Sequence, residues 1–274
     1  MESQIKEPVT APDNDPVPDP LNDPIEESIA APTEDPIEEA PLPELSISYV
    51  MPVYNGQSNI AKAVNTLIKQ TKQGEIIVIN DGSTDRTLSI LRSYTGQITI
   101  ISLPVRNGAA VCRNIGNKLS SGDIIAVCDV DIYEPDRGEA IVKFFAEQPD
   151  IDIFNSAVRC ISSVNPQHSW DQPAAIWEGK TKCPIAHPSV AYRRELAINS
   201  PYLEVSKDTD LYEFFILKLL REGKKMGACS NILVTKIEGD TQRRIPKAWE
   251  IKKKYYEKYG IDLGEQGKLK EHLK

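Results

Sequence analysis

Between Leu45 and Asp129, four apolar runs alternate with three amphipathic ones, and that alternation narrows the possible folds more than anything else in the chain. "LSISYVMPV" (Leu45–Val53), "EIIVIN" (Glu75–Asn80), "QITIISL" (Gln97–Leu103) and "DIIAVCD" (Asp123–Asp129) are short and rich in β-branched residues. Consecutive apolar positions of this kind suit strands buried on both faces. The segments between them, Ser58–Gln70, Ser83–Tyr94 and Gly108–Ser120, have helical patterning. In the first, Ile60, Ala63, Val64, Leu67 and Ile68 share one stripe, with Ser58 placed to cap it. In the second, Ser83 or Thr84 is the expected cap, and Asp85 sits in the first turn, where the macrodipole favours it. Strand and helix at such short spacing predict an α/β domain: a Rossmann-like, mainly parallel sheet with right-handed crossovers, flanked by helices.

In open sheets of this kind, ligands gather beyond the carboxyl ends of the strands. Three polar clusters fall there: "PVYNG" (Pro52–Gly56), "NDGSTD" (Asn80–Asp85), and Asp129-Val130-Asp131. Two carboxylates one residue apart at a strand end offer hard oxygen donors. They can hold Mg²⁺ or Mn²⁺ and leave coordination positions for phosphate oxygens.

Past Pro135 the pattern loosens. Helices are expected over Pro135–Pro149 and Asp208–Gly223, the latter stopped by Gly223, and strands over Asp152–Ser162 and Cys229–Ile237. The stretch 163–182 lacks periodicity and carries Trp170 and Trp177, which either anchor a loose segment or offer faces to sugar rings. Cys183–Leu196 begins extended, and Pro246–Gly260 reads as a basic, aromatic-bearing final helix.

Charge is distributed unevenly. Residues 1–44 hold 13 Asp or Glu, a single Lys and half of the 20 prolines, and "NDPIEES" returns as "EDPIEEA". Such a tail buries too little apolar surface to fold, so residues 1–44 are expected to be disordered. The remainder holds 27 acidic and 31 basic residues. That net of +4 is too small to argue for a nucleic-acid partner. Neither a signal peptide nor a membrane span is expected. Five cysteines without a CxxC pair argue for inert thiols in a reducing, cytoplasmic setting.

Taken together and in order, "PVYN", "NDGSTD", "NGAAVCRNIG", "SGDIIAVCDVD" and "KDTDLYEFF" resemble the family 2 glycosyltransferases of GT-A fold, over about Leu45 to Gln242. The resemblance implies a nucleotide-binding half over 45–134, an acceptor half over 135–245 and a helical extension over 246–274. It implies metal-dependent, inverting transfer of a sugar from a nucleotide-diphosphate sugar, commonly a UDP-sugar, to a hydroxyl of a glycan or other acceptor. Asp81 is then the residue that accepts a hydrogen bond from the base, which suits an imide N–H. Pro52, Val53, Tyr54 and Asn55 surround the nucleotide, with Tyr54 able to stack on the base. Arg113 matches the family's Arg-Asn pair and reaches the diphosphate or base.

By the same resemblance Asp129 lies near the ribose and Asp131 on a Mn²⁺ or Mg²⁺ ion. His187 falls near the donor sugar and acceptor. Asp208 aligns with the catalytic base, with Asp210 as the fallback; Lys207 stands where relatives usually have Glu. Relatives often carry a late His near "KIEGDTQRR"; this chain has none there, so a third protein ligand for the metal is in doubt. Two other readings stand beside this one. A sugar nucleotidyltransferase needs a glycine-rich, basic loop after the first strand, and only Gly56 is there. A non-catalytic relative binding through the same cleft is favoured by Lys207 and the missing His.

Overall fold

The computed structural model describes residues 42–162, 165, 167–174, 185–205, 207, 210–238, 253, 254 and 257. The expectations for the acidic tail, Trp177, Cys183, Asp208 and most of the final helix lie outside these residues. In chain order the elements are β1 (Ile47–Val53), α1 (Ile60–Ile68), β2 (Glu75–Asn80), α2 (Thr87–Arg92), β3 (Thr99–Ser102), α3 (Ala109–Leu119) and β4 (Ile124–Val127). They continue with β5 (Ile132–Tyr133), α4 (Arg137–Glu147), β6 (Ile153–Ser162), β7 (Ser169–Gln172), a 3₁₀ turn at His187–Ser189, β8 (Ala191–Arg193), α5 (Arg194–Asn199), α6 (Tyr212–Arg221) and β9 (Met226–Glu238).

The described strands form one sheet in the order β3-β2-β1-β4-β8-β6-β9-β5, with β7 paired to β6. Strands β1 to β4 are mutually parallel, and β6 runs parallel to β9. Strand β8 is antiparallel to both β4 and β6 and joins the two halves. The order 3-2-1-4 means that the chain reverses its direction of winding at β1, which opens a crevice between the carboxyl ends of β1 and β4.

Alternation along β1 divides the core. Ile47, Tyr49, Met51 and Val53 face a cluster with Ile60, Val64 and Leu67 of α1 and Ile141 and Phe145 of α4. On the opposite face, Val50, Ile77, Ile79, Ile125 and Val127 meet Ala110 and Cys112 of α3 and Phe215, Ile216 and Leu219 of α6. Each sheet face is thus covered by helices, as the continuous apolar runs required.

The helices are shorter than their sequence patterns. α1 starts at Ile60 with Asn59 at its cap and no capping side chain, so Ser58 does not cap it. α2 starts at Thr87, because residues 83–85 are used to tie two loops together. The Asn55 N–H donates to Ser83 Oγ at 3.0 Å, the Thr84 N–H to Asn55 Oδ1 at 2.8 Å, and the Gln57 N–H to Asp85 Oδ2 at 3.1 Å. α6 starts at Tyr212 rather than Asp208. Two strands arise where periodicity showed nothing: β5 has two residues, and β7 is exposed on an edge, so neither carries a continuous apolar run.

α3 approaches the sheet closely because Gly116 has no side chain. A Cβ there would overlap Val50 Cγ1 and lie 2.8 Å from Ile79 Cδ1. Gly116→Ala should therefore cost about 1–3 kcal/mol of stability through overpacking. Urea denaturation measures this, and an unchanged midpoint would contradict the close approach.

Candidate active site

At the crevice lies a cavity of about 270 Å³, lined by Pro52, Val53, Tyr54, Asp81, Arg106, Gly108, Ala109, Arg113, Asp129, Lys207 and Asp210. Each comes from the end of a strand, the start of α3, or the segment before α6. The sheet edge therefore gathers side chains that are far apart in sequence.

Asp81 follows β2 and is buried. Its Oδ1 accepts the Asn107 N–H at 2.6 Å and its Oδ2 the Gly108 N–H at 2.8 Å. One carboxylate thus holds the loop that opens α3. Gly82 makes this possible: its φ is +62°, and a Cβ would sit 2.5 Å from the Val105 carbonyl carbon. Above Asp81, the Arg106 guanidinium lies 4.4 Å from the centre of the half-exposed Tyr54 ring. Asn55 has φ +51°, and its amide turns to Thr84; it does not line the cavity.

Arg113 is the centre of the charge arrangement. It is 2% exposed. Its Nη2 donates to Asp129 Oδ1 at 2.9 Å and its Nη1 to Asp210 Oδ2 at 2.8 Å. Burial works against the charged guanidinium, but Asp210 and Asp129 outweigh it and hold the proton more tightly than usual. The next residue, Asn114, fastens the same region. Its Nδ2 donates to the Tyr202 carbonyl at 2.9 Å and to Glu204 Oε1 at 2.7 Å, while its Oδ1 accepts the Tyr202 N–H at 2.8 Å.

Asp129 and Asp131 occupy different settings. The Asp129 side chain is one-third exposed, lines the cavity and leaves Oδ2 without a hydrogen bond among the described residues. Asp131 is buried, and its Oδ1 accepts the Ile237 N–H of β9 at 3.1 Å; it is not part of the cavity wall. Carboxylate oxygens are hard donors of the kind that suit Mg²⁺ or Mn²⁺, and Asp129 Oδ2 is the one here that faces the cavity without a described partner. Among the described residues no three His, Cys, Asp or Glu side chains form a metal cluster.

His187 lies beneath the cavity rather than in its wall. It is buried, stacks on Tyr212 with centroids 4.3 Å apart, and has Nε2 3.0 Å from the Tyr202 hydroxyl. Burial, with the Arg113 charge nearby, holds its imidazole well below the ordinary value.

Sequence reasoning did not single out Arg106, Glu204 or the Arg113–Asp210 pair. Arg106 had one available signal: it lies in the loop after β3, at the same sheet edge as the other clusters.

The family model for glycosyl transferase family 2 matches residues 48–198. The chain belongs to that family. A Haemophilus influenzae protein named as an uncharacterized glycosyltransferase is 26% identical over 186 residues, 64% of this chain and 62% of that one. Chondroitin synthase of Pasteurella multocida is 29% identical over 201 residues, 69% of this chain but 20% of its own length. The chain therefore spans less than two-thirds of these relatives.

Among solved structures, S. aureus TarS 1–349 superposes with a TM-score of 0.57 at 19% identity, covering 70% of this chain and 60% of that one. The mannosyltransferase PcManGT of Pyrobaculum calidifontis, in complex with GDP-Man and Mn²⁺, superposes with a TM-score of 0.55 at 20% identity, covering 80% and 64%. The fold is the GT-A arrangement that the sequence motifs implied. Among the described residues no helix is long and apolar enough to cross a membrane.

The depressed imidazole predicts a pH dependence. Below about pH 6.5 the unfolded chain takes up a proton at His187 that the folded chain refuses. The unfolded state then binds more protons, so stability falls as pH drops, by up to about 1.4 kcal/mol per pH unit. Urea midpoints at about pH 7.5 and about pH 5.5 should differ in the wild type and differ less in His187→Gln. Equal differences in both would contradict the placement of this ring.

Proposed function

We propose that the chain transfers a sugar from a nucleotide-diphosphate sugar to a hydroxyl of a glycan or other acceptor, with inversion. The observation that carries this reading is a single cavity, at the reversal of the sheet, where Asp81, Tyr54, Arg113 and Asp129 meet Lys207 and Asp210. The first four come from the half that resembles a nucleotide site. The last two come from the segment that the family uses on the acceptor side.

In this reading Asp81 accepts from the base N–H, and Tyr54, with the Arg106 guanidinium stacked on its ring, offers an aromatic face to the base. A UDP-sugar is the expected donor, since a carboxylate matches the imide N–H of uracil. Asp129 and Asp131 would hold Mn²⁺ or Mg²⁺ together with the diphosphate, whose oxygens complete the donor set that two carboxylates leave open. The bound cation would neutralise charge on the departing diphosphate. Arg113, already committed to two carboxylates, keeps Asp129 and Asp210 in place at that edge.

The acceptor hydroxyl attacks the anomeric carbon, its proton passes to a carboxylate, and the carbon–oxygen bond to the diphosphate breaks. Attack opposite the leaving group inverts the centre. Asp208 is the proposed base. Asp210 is the alternative, but its Oδ2 is already taken by Arg113. The acceptor is proposed to be shaped by residues 163–207. The donor and acceptor halves are proposed to be 45–134 and 135–245.

A hydrolysis screen across UDP-, GDP- and dTDP-sugars with Mn²⁺ tests the reading, and turnover of none of them would oppose it. Asp131→Ala and Asp208→Ala should each abolish transfer, with losses of at least about 10²-fold. Only Asp131→Ala should also weaken metal-dependent donor binding in a calorimetric titration. Retained turnover in Asp208→Ala would move the base to Asp210.

A further inference from the structure

We propose that Tyr133, backed by Arg137, is a positioning device that sets the Asp129 carboxylate from beneath the cavity and so tunes cation and diphosphate binding. The proposal rests on the donor reading given above.

β4 ends at Val127, so the backbone of Asp129 has left the sheet ladder. The Tyr133 hydroxyl takes the place of the missing strand. It accepts the Asp129 N–H at 2.7 Å and donates to the Asp129 carbonyl at 2.9 Å. One buried oxygen thus satisfies both backbone groups of the residue whose side chain lines the cavity, and it closes the loop 129–133 on itself. Tyr133 is in turn anchored. Its N–H donates to Thr66 Oγ1 at 3.3 Å, and it pairs with Val234 of β9.

Arg137 lies under this loop, fully buried, with its guanidinium 4.8 Å from the Tyr133 ring centre. It donates to the Val127 carbonyl at 2.9 Å and the Pro188 carbonyl at 3.0 Å. No carboxylate among the described residues pairs with it. A buried cation without a carboxylate partner is costly unless other groups use its charge. The groups nearest to hand are the Val127 and Pro188 carbonyls, the Cys128 thiol and the Tyr133 π face, all at the strand end that leads into Asp129. A merely structural cation would be expected to carry its own acid. This one faces the backbone that carries Asp129.

Groups that orient a metal ligand from behind alter metal affinity by about 10–100-fold when removed. Tyr133→Phe keeps the ring and its contact with Arg137 and removes only the hydroxyl. Calorimetric titration with UDP should show metal-dependent affinity about tenfold or more weaker in this variant. Affinity for UDP in EDTA should change less than about twofold, since Asp81 and Tyr54 are untouched. Amide exchange at Asp129 should quicken in the variant whether or not metal is present, which reports the clamp itself.

Three results would overturn the role: metal-dependent affinity within twofold of wild type, equal losses with and without metal, or unchanged exchange at Asp129. A wild type with no metal-dependent UDP affinity would remove the donor reading as well. An altered Tyr133→Phe affinity against a competent wild type separates the two claims. Arg137→Lys gives a second variant: partial retention of the metal-dependent affinity is expected, and full retention would count against its part.

Discussion

One buried guanidinium joins the two halves of the cavity. Arg113 comes from α3, Asp129 from the end of β4, and Asp210 from the segment before α6, and the three meet within hydrogen-bond distance. Without the cation, two carboxylates would be left facing the same crevice with no counter-charge between them. Removing one partner from a buried pair costs about 3–5 kcal/mol, and the low end applies here because both carboxylates are about one-third open to solvent. Asn114, the adjacent residue, grips the Tyr202 backbone at both its N–H and its carbonyl. The pair Arg113-Asn114 therefore works as a double fastener, one residue on charge and one on backbone, and the segment from Tyr202 to Asp210 is held to α3 by both.

The layers beneath follow the same logic. Asp81 does not simply wait for a ligand; it builds the loop that presents Arg106, Gly108 and Ala109 to the cavity. Gln70 of the first crossover does similar work below Asp131. Its Nε2 donates to the Glu134 carbonyl at 2.8 Å, and its Oε1 accepts the Gly138 N–H at 2.9 Å. Asp81, Gln70 and Asn114 are thus each paired to backbone at this edge, and the pairing gives the loops their shape.

Much of this was legible before any coordinates. β2 coincides with the apolar run Glu75–Asn80, because six residues rich in β-branched side chains are too short for a helix and suit a strand buried on both faces. The convergence of Pro52, Tyr54, Asp81, Arg113 and Asp129 on one cavity was foreseeable once the strands were assigned, since parallel strands present their carboxyl ends on one edge. Other features could not be read. The Arg113–Asp210 contact spans 97 residues, and no local pattern carries it. β5 is too short to show a period, and its value lies in pairing with β9, a tertiary fact. The helix starts were misplaced because Ser83 and Thr84 bind a neighbouring loop, while Asp85 holds the Gln57 N–H with one oxygen and accepts the Thr87 N–H that opens α2 with the other. The packing of His187 against Tyr202 and Tyr212, which holds it out of the cavity wall, is likewise a tertiary fact.

The account depends on donor and cation meeting in the crevice between β1 and β4. A crystal grown with UDP and Mn²⁺ and measured at a wavelength where manganese scatters anomalously tests this directly. The expected map has one anomalous peak beside Asp129 and Asp131, with the uracil ring between Asp81 and Tyr54. Nucleotide or metal bound instead in another hollow, such as the one between α5 and α6 around Glu195 and Lys224, would contradict it.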